Sequence, residues 1–491
     1  MTIFLPPMKY KKSKIVYFDS IDIFSVLTQN LKESYSLYWH IMSSLSEASF
    51  VEFIKFLQTN EKYIKDKFQL KELQDLIKTT KGRLARSLES YLLKSYLQYN
   101  NLTKVEHFFK ENGFELYETE AAIYHHKKGN FITSFSIYEK LISENRKTDL
   151  VDTIIEYAKT VHSFGDLRKT YDLLSSLKNL VNSMSNVEKI KFHSAFVSIL
   201  ISYNEIEKAE NVLEQLTKLV DDNSPDLFKL NLLYNTGRIA LEKGNYLKAK
   251  ICFDEYYQMA IKNDNEILLA ESYSQMGLYY WSLKKFPKSL DYYILSYKLY
   301  QKIGYKPKLC TVTGNVSLLY HLINRNTESL EFSKKFLNLS LQMKSPTAIS
   351  SAYNYIGLAS MASDLLPQAI SAFTKQIKYG KLSGDLRTTA FSYNNLAMIN
   401  AYYQKYKSVI INFNRSFEIL NSINSRYEID VMINIVEYYI NQNNRKKAEE
   451  NYSLLDKLLT KHNLHEDFKE SLGKIAFKFQ RLLSLSSHFP V

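Results

Sequence analysis

Glycine and proline are scarce, 13 and 8 residues in a chain of 491, each well under half of average usage, about 7% and about 5%. Few tight turns, bulges or long loops are therefore available, which excludes an all-β domain, a collagen-like chain and a Pro/Gly-rich linker protein. Only two cysteines occur, Cys252 and Cys310, too few and too far apart for a disulfide framework or a zinc knuckle, and a reducing compartment fits them. Long apolar runs are missing too. The uncharged stretch Ser345–Ala362 is rich in Ser, Thr and Asn and cannot serve as a membrane span. Near the start, Lys9, Lys11, Lys12 and Lys14 precede Ile15-Val16-Tyr17-Phe18, but Asp19 and Asp22 break any signal-peptide core, so a cytoplasmic protein is expected. A Gly-x-x-x-x-Gly-Lys-Ser/Thr phosphate loop and a Gly-x-Ser-x-Gly nucleophile elbow are both absent; the glycines of Gly380-Lys-Leu-Ser-Gly384 stand at the wrong spacing and fall at an inter-helix connection. No catalytic residue, cofactor or metal is expected.

What the chain does have is apolar surface: 38 Tyr and 28 Phe contribute to an aromatic fraction of 14%, ample for a folded, mostly helical core. It also carries a formal charge of +13, which favours an acidic partner. Codon bias in an A+T-rich genome would raise Lys, Asn, Ile, Tyr and Phe together and accounts for the same excess.

Internal similarity is the dominant feature. Leu233-Tyr-Asn-Thr-Gly237-Arg-Ile-Ala240-Leu-Glu-Lys-Gly244-Asn-Tyr246-Leu-Lys-Ala249-Lys-Ile-Cys-Phe253 is the clearest unit. Stepping forward at one constant interval gives Gly277, Tyr280, Phe286, Ser289 and Tyr293; then Ser317, Tyr320 and Ser329; then Gly357, Ala369 and Phe373; then Ala397, Tyr406 and Phe413. Weaker units extend outwards through Val197/Ala209/Leu213, Ala158/Thr170/Leu174, Ala122/Ser134/Tyr138 and Leu93/Leu102/Phe109 upstream, and Val436/Ala448/Tyr452 downstream. These residues resemble the tetratricopeptide repeat, a pair of antiparallel helices with small residues where the two touch. The 40-residue spacing is similar to that of Rap-type peptide-responsive regulators, of the mitotic adaptor LGN and of bacterial signal-responsive activators.

The resemblance implies an all-α protein: an α-solenoid of about nine tetratricopeptide-like helix hairpins over residues 85–460, an N-terminal helical bundle over 1–84, and a C-terminal capping helix and tail over 461–491. A fixed register through five units is what a stacked solenoid needs and a simple bundle of long helices does not. In the N-terminal region, Tyr35–Met42 and Phe50–Leu57 have helical apolar spacing, and Gly82 marks its boundary. That region reads either as a cap or as an effector module.

In the resembled solenoids the first helix of each repeat lines a concave face that holds an extended peptide. Two residues before the small positions stand Asn235, Gln275, Asn315, Tyr355 and Asn395, with Asn354 and Asn394 one step earlier. A carboxamide both donates and accepts, so such a row would clamp peptide backbone of any sequence; it would equally well bond one repeat to the next. Arg238, Leu278, Leu318, Leu358 and Met398 follow the small positions, and Trp281, His321 and Met361 lie three further on, as side-chain pockets or as core. The regular Lys/Asn pattern of the tetratricopeptide clamps that hold chaperone C-termini is absent. His125 and His126, neighbours that point roughly 100° apart on a helix, read as a solvated helix end beside Lys127 and Lys128, and His462, His465 and Glu466 as a surface cluster. Within 301–420, 14 Lys and Arg face 5 Asp and Glu, a difference of +9. Those cations are scattered over several repeats, so no specific nucleic-acid binding is expected.

The expected function is a non-enzymatic protein–protein interaction scaffold that binds a peptide segment of a partner in its concave groove. The alternative is a peptide-responsive signalling or transcription regulator in which the groove ligand controls the N-terminal bundle.

Overall fold

The computed structural model describes residues 89–90, 92–94, 96–97, 102–113, 117–144, 150–222, 224–462, 464 and 468–486. The chain forms two compact units, residues 1–95 and 96–491, and the second is described here. The expectations for residues 1–84, including Gly82 as boundary, lie outside the described residues, as do those for His465 and Glu466.

Among the described residues all regular structure is helical. Helix α1 (Leu102–Asn112) is followed by nine antiparallel hairpins, each of an inner A helix and an outer B helix. These are α2 (Glu118–Lys127) with α3 (Phe131–Ser143), α4 (Leu150–Phe164) with α5 (Leu167–Ser176), and α6 (Asn186–Ser202) with α7 (Ile206–Leu219). Next come α8 (Asp226–Glu242) with α9 (Tyr246–Lys262), α10 (Glu266–Ser282) with α11 (Phe286–Ile303), and α12 (Lys306–Leu322) with α13 (Asn326–Met343). The row ends with α14 (Pro346–Ala362) and α15 (Leu366–Ser383), α16 (Leu386–Tyr402) and α17 (Tyr406–Ser422), then α18 (Glu428–Asn441) and α19 (Arg445–His462). A final helix, α20 (Lys469–Ser486), follows. The protein is an all-α solenoid of helical hairpins.

The 40-residue period has a direct origin. From α8 to α17 every helix has 17 or 18 residues, and each connection closes through one left-handed residue. Between A and B helices these are Asn204, Gly244, Lys284, Asn324, Asp364 and Gln404; between hairpins they are Asp264, Gly304, Lys344, Gly384 and Asn424. Both series keep the period of the repeat. A left-handed residue reverses the chain within two or three positions, which is how a protein with so little glycine makes so many turns. Where the position is not Gly or Asn, as at Lys284, Lys344 and Gln404, the Cβ costs about 1–2 kcal/mol.

Helix spacing within a hairpin is set by one contact, between a small residue of the A helix and a large one of the B helix. The rings of Phe253, Tyr293 and Phe373 lie directly on Gly237, Gly277 and Gly357. Ala397 with Phe413, Ala122 with Tyr138, Ala158 with Leu174 and Val197 with Leu213 repeat the pairing with a larger small residue or a smaller large one. In the sixth hairpin neither partner is large, and Ser317 Oγ instead meets Ser333 Oγ at 2.6 Å. One turn earlier, buried serines of the B helix donate to carbonyls of the A helix: Ser134 to Ala122, 2.8 Å, Ser289 to Gly277, 2.7 Å, and Ser329 to Ser317, 3.0 Å. Small side chains allow close axial approach, and these serine hydroxyls are paired where the helices touch.

The row of hairpins curls back on itself. Phe131 of α3 is buried in one cluster with Cys310, Phe336, Met343 and Ala352, and Phe135 and Phe164 pack on its edge. Ser345 Oγ donates to the Phe164 carbonyl at 2.6 Å, and Thr347 Oγ1 to the Gly165 carbonyl at 3.4 Å. Gly129 and Gly165, both at positive φ, have room for no side chain: an added Cβ would lie 2.8 Å from Met343 Cγ and from Thr347 Cβ respectively. The turns of the first two hairpins thus seat on the sixth and seventh, closing the A helices around an interior.

Replacing Gly277 by Ala would place a Cβ 2.7 Å from Tyr293. The ring has to move, at a cost of about 1–3 kcal/mol, whereas Lys344→Gly relieves a left-handed residue and gains about 1 kcal/mol. Urea unfolding of the two variants measures both; a neutral Gly277→Ala would show that the ring does not set the helix spacing.

Candidate functional site

The interior of the closed turn is lined by A helices, and side-chain bonds join several successive ones. Lys191 Nζ of α6 meets Asp152 Oδ2 of α4 at 2.7 Å. His162 Nε2 lies 3.3 Å from Ser202 Oγ, Ser198 Oγ donates to Asn235 Oδ1 at 3.0 Å, and Asn434 Nδ2 donates to Asn394 Oδ1 at 3.1 Å. Lys308 Nζ of α12 pairs with Glu271 Oε1 of α10 at 2.9 Å, and the Tyr256 hydroxyl donates to the other Glu271 oxygen at 2.9 Å. Because the turn closes, groups far apart in sequence come within electrostatic reach. Lys127 of α2 senses Glu271, Glu156 and Lys308, and His162 senses Arg238 and Lys308.

Glu156, Glu271, Lys308 and Lys127 are half-buried, and their titration shows it. Burial opposes ionisation of Glu156, but Lys159, Lys191 and Lys127 override it and its pKa is lowered. Glu271 behaves alike: burial is outweighed by Lys308, by the Tyr256 hydrogen bond and by Lys127. Glu271 in turn holds Lys308 well above the usual lysine range. Lys127 goes the other way. Burial brings it down to about 8 against the pull of Glu271 and Glu156, and its ammonium lies 4.4 Å from the centroid of the Tyr305 ring.

The adjacent histidines are not a solvated helix end. His126 is 7% exposed; its ring packs 5.8 Å from Phe131 and 6.1 Å from Tyr305, with Nδ1 3.3 Å from Thr160 Oγ1. The end of α2 abuts the sixth hairpin, a contact invisible to local pattern. His125 is half-buried against Tyr124. His462 Nε2 lies 2.8 Å from Glu428 Oε1, which also receives Lys461. Among the described residues no group of His, Cys, Asp and Glu is arranged to hold a metal, and no helix is long and apolar enough to cross a membrane.

The carboxamides named from sequence differ in their surroundings. Asn235 is 2% exposed; besides accepting from Ser198 it donates to the carbonyls of Asn231, 3.0 Å, and Ser194, 3.4 Å, so its amide is used within the wall. Gln275, 3% exposed, approaches the Tyr256 hydroxyl without a hydrogen bond of good geometry. Asn315 faces the Tyr293 hydroxyl. Asn354 and Asn395 are half-buried, and Asn354 Oδ1 has no partner among the described residues.

Among the candidate pocket residues, Leu278 packs against the cluster around Phe253, Trp281 edge-on to Phe286 at 5.5 Å, and Leu358 and Met361 against Leu366 and Phe373. Leu318 is half-buried, His321 is half-buried with a pKa lowered by burial, and Met398 is 44% exposed. Arg238 lies 5.9 Å from the Tyr234 ring with its Nε buried and, among the described residues, without a hydrogen-bond partner.

Sequence pattern alone misses Lys127, Glu156, Glu271 and Tyr305. Glu156 stands two residues before Ala158, the small position of its repeat, and Glu271 one turn before Gln275. The signal is present on the same helix face but in charged rather than amide residues.

No family model and no curated protein matches the chain. Similar solved structures are a Rap protein complexed with competence and sporulation factor (15% identity, TM-score 0.49, covering 69% of this chain and 97% of that one) and the apo quorum sensor NprR from B. thuringiensis (10% identity, TM-score 0.45, covering 67% and 98%). Another is a signal-transduction ATPase with a tetratricopeptide repeat sensor from Pyrococcus horikoshii (16% identity, TM-score 0.45, covering 72% and 53%). These are helical-repeat proteins of the tetratricopeptide type. The hairpin spacing alone defines the fold of this chain.

Burial of His126 predicts acid sensitivity. Unfolded, the ring takes its proton near 6.5; folded, burial and then the nearby lysines hold that step down to about 3. Between those values the unfolded state binds the extra proton, so the stabilisation is complete above pH 6.5 and is lost as pH falls toward 3, by up to about 1.4 kcal/mol per unit. In His126→Phe, the drop in urea midpoint between pH 7 and pH 5 should shrink; an unchanged drop would mean that the ring protonates in the folded state.

Proposed function

We propose that this protein is a non-enzymatic helical-repeat protein that binds a peptide on the inner face of its closed turn. The observation that carries the reading is an interior lined with donors and acceptors from successive A helices, several of them buried and unused among the described residues: Arg238 Nε, Asn354 Oδ1 and both amide atoms of Gln275. Native interiors leave few polar groups unsatisfied, and a peptide backbone supplies complementary donors and acceptors along its whole length. Half-buried Leu318, Leu358 and Met361 add adaptable apolar surface beside them. Two uses follow from the same binding, a scaffold holding a segment of a larger partner and a regulator responding to a free peptide. The seam favours the second, since a turn closed on itself admits a chain end more readily than a loop of a folded domain.

The test is affinity selection of short random-sequence peptides on the full-length protein, followed by amide hydrogen exchange with the retained peptides. Protection should appear on the A helices α4, α8, α10 and α12. Retention of nothing, or protection confined to the B helices, would overturn the reading.

A further inference from the structure

We infer that the outer edge of the seventh and eighth hairpins, from α15 to the start of α18, is a docking surface for an acidic, leucine-bearing segment of a partner protein. This surface is separate from the inner face, and its use does not depend on what the interior binds. Between residues 365 and 427 eight Lys and Arg stand against two carboxylates, Asp385 and Glu418. Asp385 is engaged as the cap of α16, accepting from the Thr388 backbone N–H at 3.0 Å. Elsewhere on the outer helices cations come with carboxylates of their own: Lys250 with Asp254, Lys302 with Glu266, Lys335 with Glu331 and Arg445 with Glu449. Lys375, Lys378, Lys381, Arg387, Arg415 and Arg426 are all exposed, and among the described residues none of them makes a salt bridge.

Aromatic rings gather these six charges. Tyr353 and Tyr379 stack at 5.8 Å, with Lys375 5.4 Å from the first ring and Lys378 5.9 Å from the second. One hairpin on, Lys381 of α15 and Arg415 of α17 share the Tyr393 ring, at 5.9 Å and 5.6 Å. Arg387 and Arg426 share the Tyr427 ring, at 5.7 Å and 5.5 Å, and that ring meets Phe391 of α16 edge-on at 5.3 Å. Two cations on one ring can be no further apart than their two distances together, so each pair lies within reach of one short acidic stretch. An exposed cation–ring contact, worth about 0.5–1 kcal/mol, holds the side chain in place without neutralising it. The charges are thus fixed in advance, which lowers the cost of ordering them around a partner, and a carboxylate is a stronger counterpart than the ring.

The partner's chemistry follows from what lies beside the cations. Leu382, next to Lys381, is 66% exposed, and Leu386, next to Arg387, and Ile423, three residues before Arg426, are exposed as well. Single-stranded nucleic acid would meet the cations with its phosphates, but its bases need open ring faces; Tyr393 is buried, and Tyr353, Tyr379 and Tyr427 are half-buried. A polypeptide in which Asp and Glu alternate with leucine uses both features: its charge draws it in, and its apolar side chains cover the exposed leucines.

The experiment uses full-length protein and fluorescent peptides of defined sequence: one rich in Glu and Leu, one with Gln in place of every Glu, one with Ser in place of every Leu, and an oligothymidylate as the nucleic-acid probe. Binding is read by anisotropy at low and high salt. The Glu/Leu peptide should bind at least about tenfold more tightly than the Gln or Ser versions, and raising the salt from about 50 mM to about 300 mM should weaken it about tenfold. Neutralising Lys381, Arg387, Arg415 and Arg426 together to Gln should cost about tenfold in affinity. Neutralising Lys218, Lys248, Lys262 and Lys298, exposed on α7, α9 and α11, removes the same charge elsewhere and should cost little. An unchanged urea midpoint in both variants would show that the fold is kept. Equal losses in the two variants would mean that net charge alone attracts the peptide, and would overturn the docking surface. Tighter binding of the oligothymidylate than of the Glu/Leu peptide, lost in the first variant, would overturn the protein partner in favour of nucleic acid. Failure of the Glu/Leu peptide to bind at low salt, or equal binding of its Gln or Ser version, would also overturn the inference and leave the inner-face reading untouched.

Discussion

A ring of the outer helix resting on a glycine or alanine of the inner one sets how close the two helices of a hairpin lie, and the rest of the molecule follows from that distance. Phe253 on Gly237, Tyr293 on Gly277 and Phe373 on Gly357 bring the axes together. With helices of nearly constant length and a left-handed residue at each turn, hairpins of one shape stack with one rotation from each to the next. A constant rotation makes a curved row, and a row that curves far enough meets itself. The seam between Phe131 and the cluster of Cys310, Phe336 and Met343 is that meeting. It depends on a shape repeated over five hairpins, so a small change in helix spacing within each hairpin would accumulate before reaching it.

The seam converts a groove into an interior. In an open solenoid Lys127 would be a hydrated hairpin tip and Glu156 and Glu271 members of separate surface pairs, each worth little. Closure places them in a common, partly buried space, where the same charges act over longer range because less water screens them. That is why Lys127 and His162 respond to residues several hairpins further along the chain. The glycines of the first two hairpin turns serve this closure directly, since Gly129 and Gly165 face Met343 and Thr347 with no space for a Cβ.

Repeat architecture is legible because it is written in local sets of three: a small residue on the first helix, then a second small one and a ring on the next, as in Gly237, Ala249 and Phe253. That spacing survives even at Ala158, Thr170 and Leu174, where the phase against the longer repeat slips by one, because each hairpin needs its internal interval and tolerates variation between hairpins. The interior is only half legible. A row sought as amides in five phased repeats passes over Glu156, which occupies the same helix position in an earlier unit. His126 misleads for the opposite reason. Its neighbours in sequence, Lys127 and Lys128, are charged, while its neighbours in space, Tyr305 and the sixth hairpin, lie far along the chain and depend on closure.

The basic excess of residues 301–420 divides along the same line. Of its cations, Lys308 is directed into the interior, where Glu271 neutralises it. Lys335, Lys375 and Arg415, at one position of three successive repeats, lie on the B helices, exposed, over Phe332, Tyr353 and Tyr393. Their field is spread over the outer surface and is screened within about 8 Å at physiological salt. Charge of this kind, spread over exposed B helices, acts on encounter rate more than on selectivity. In the interior, by contrast, charges are few and each buried group left unmatched is costly.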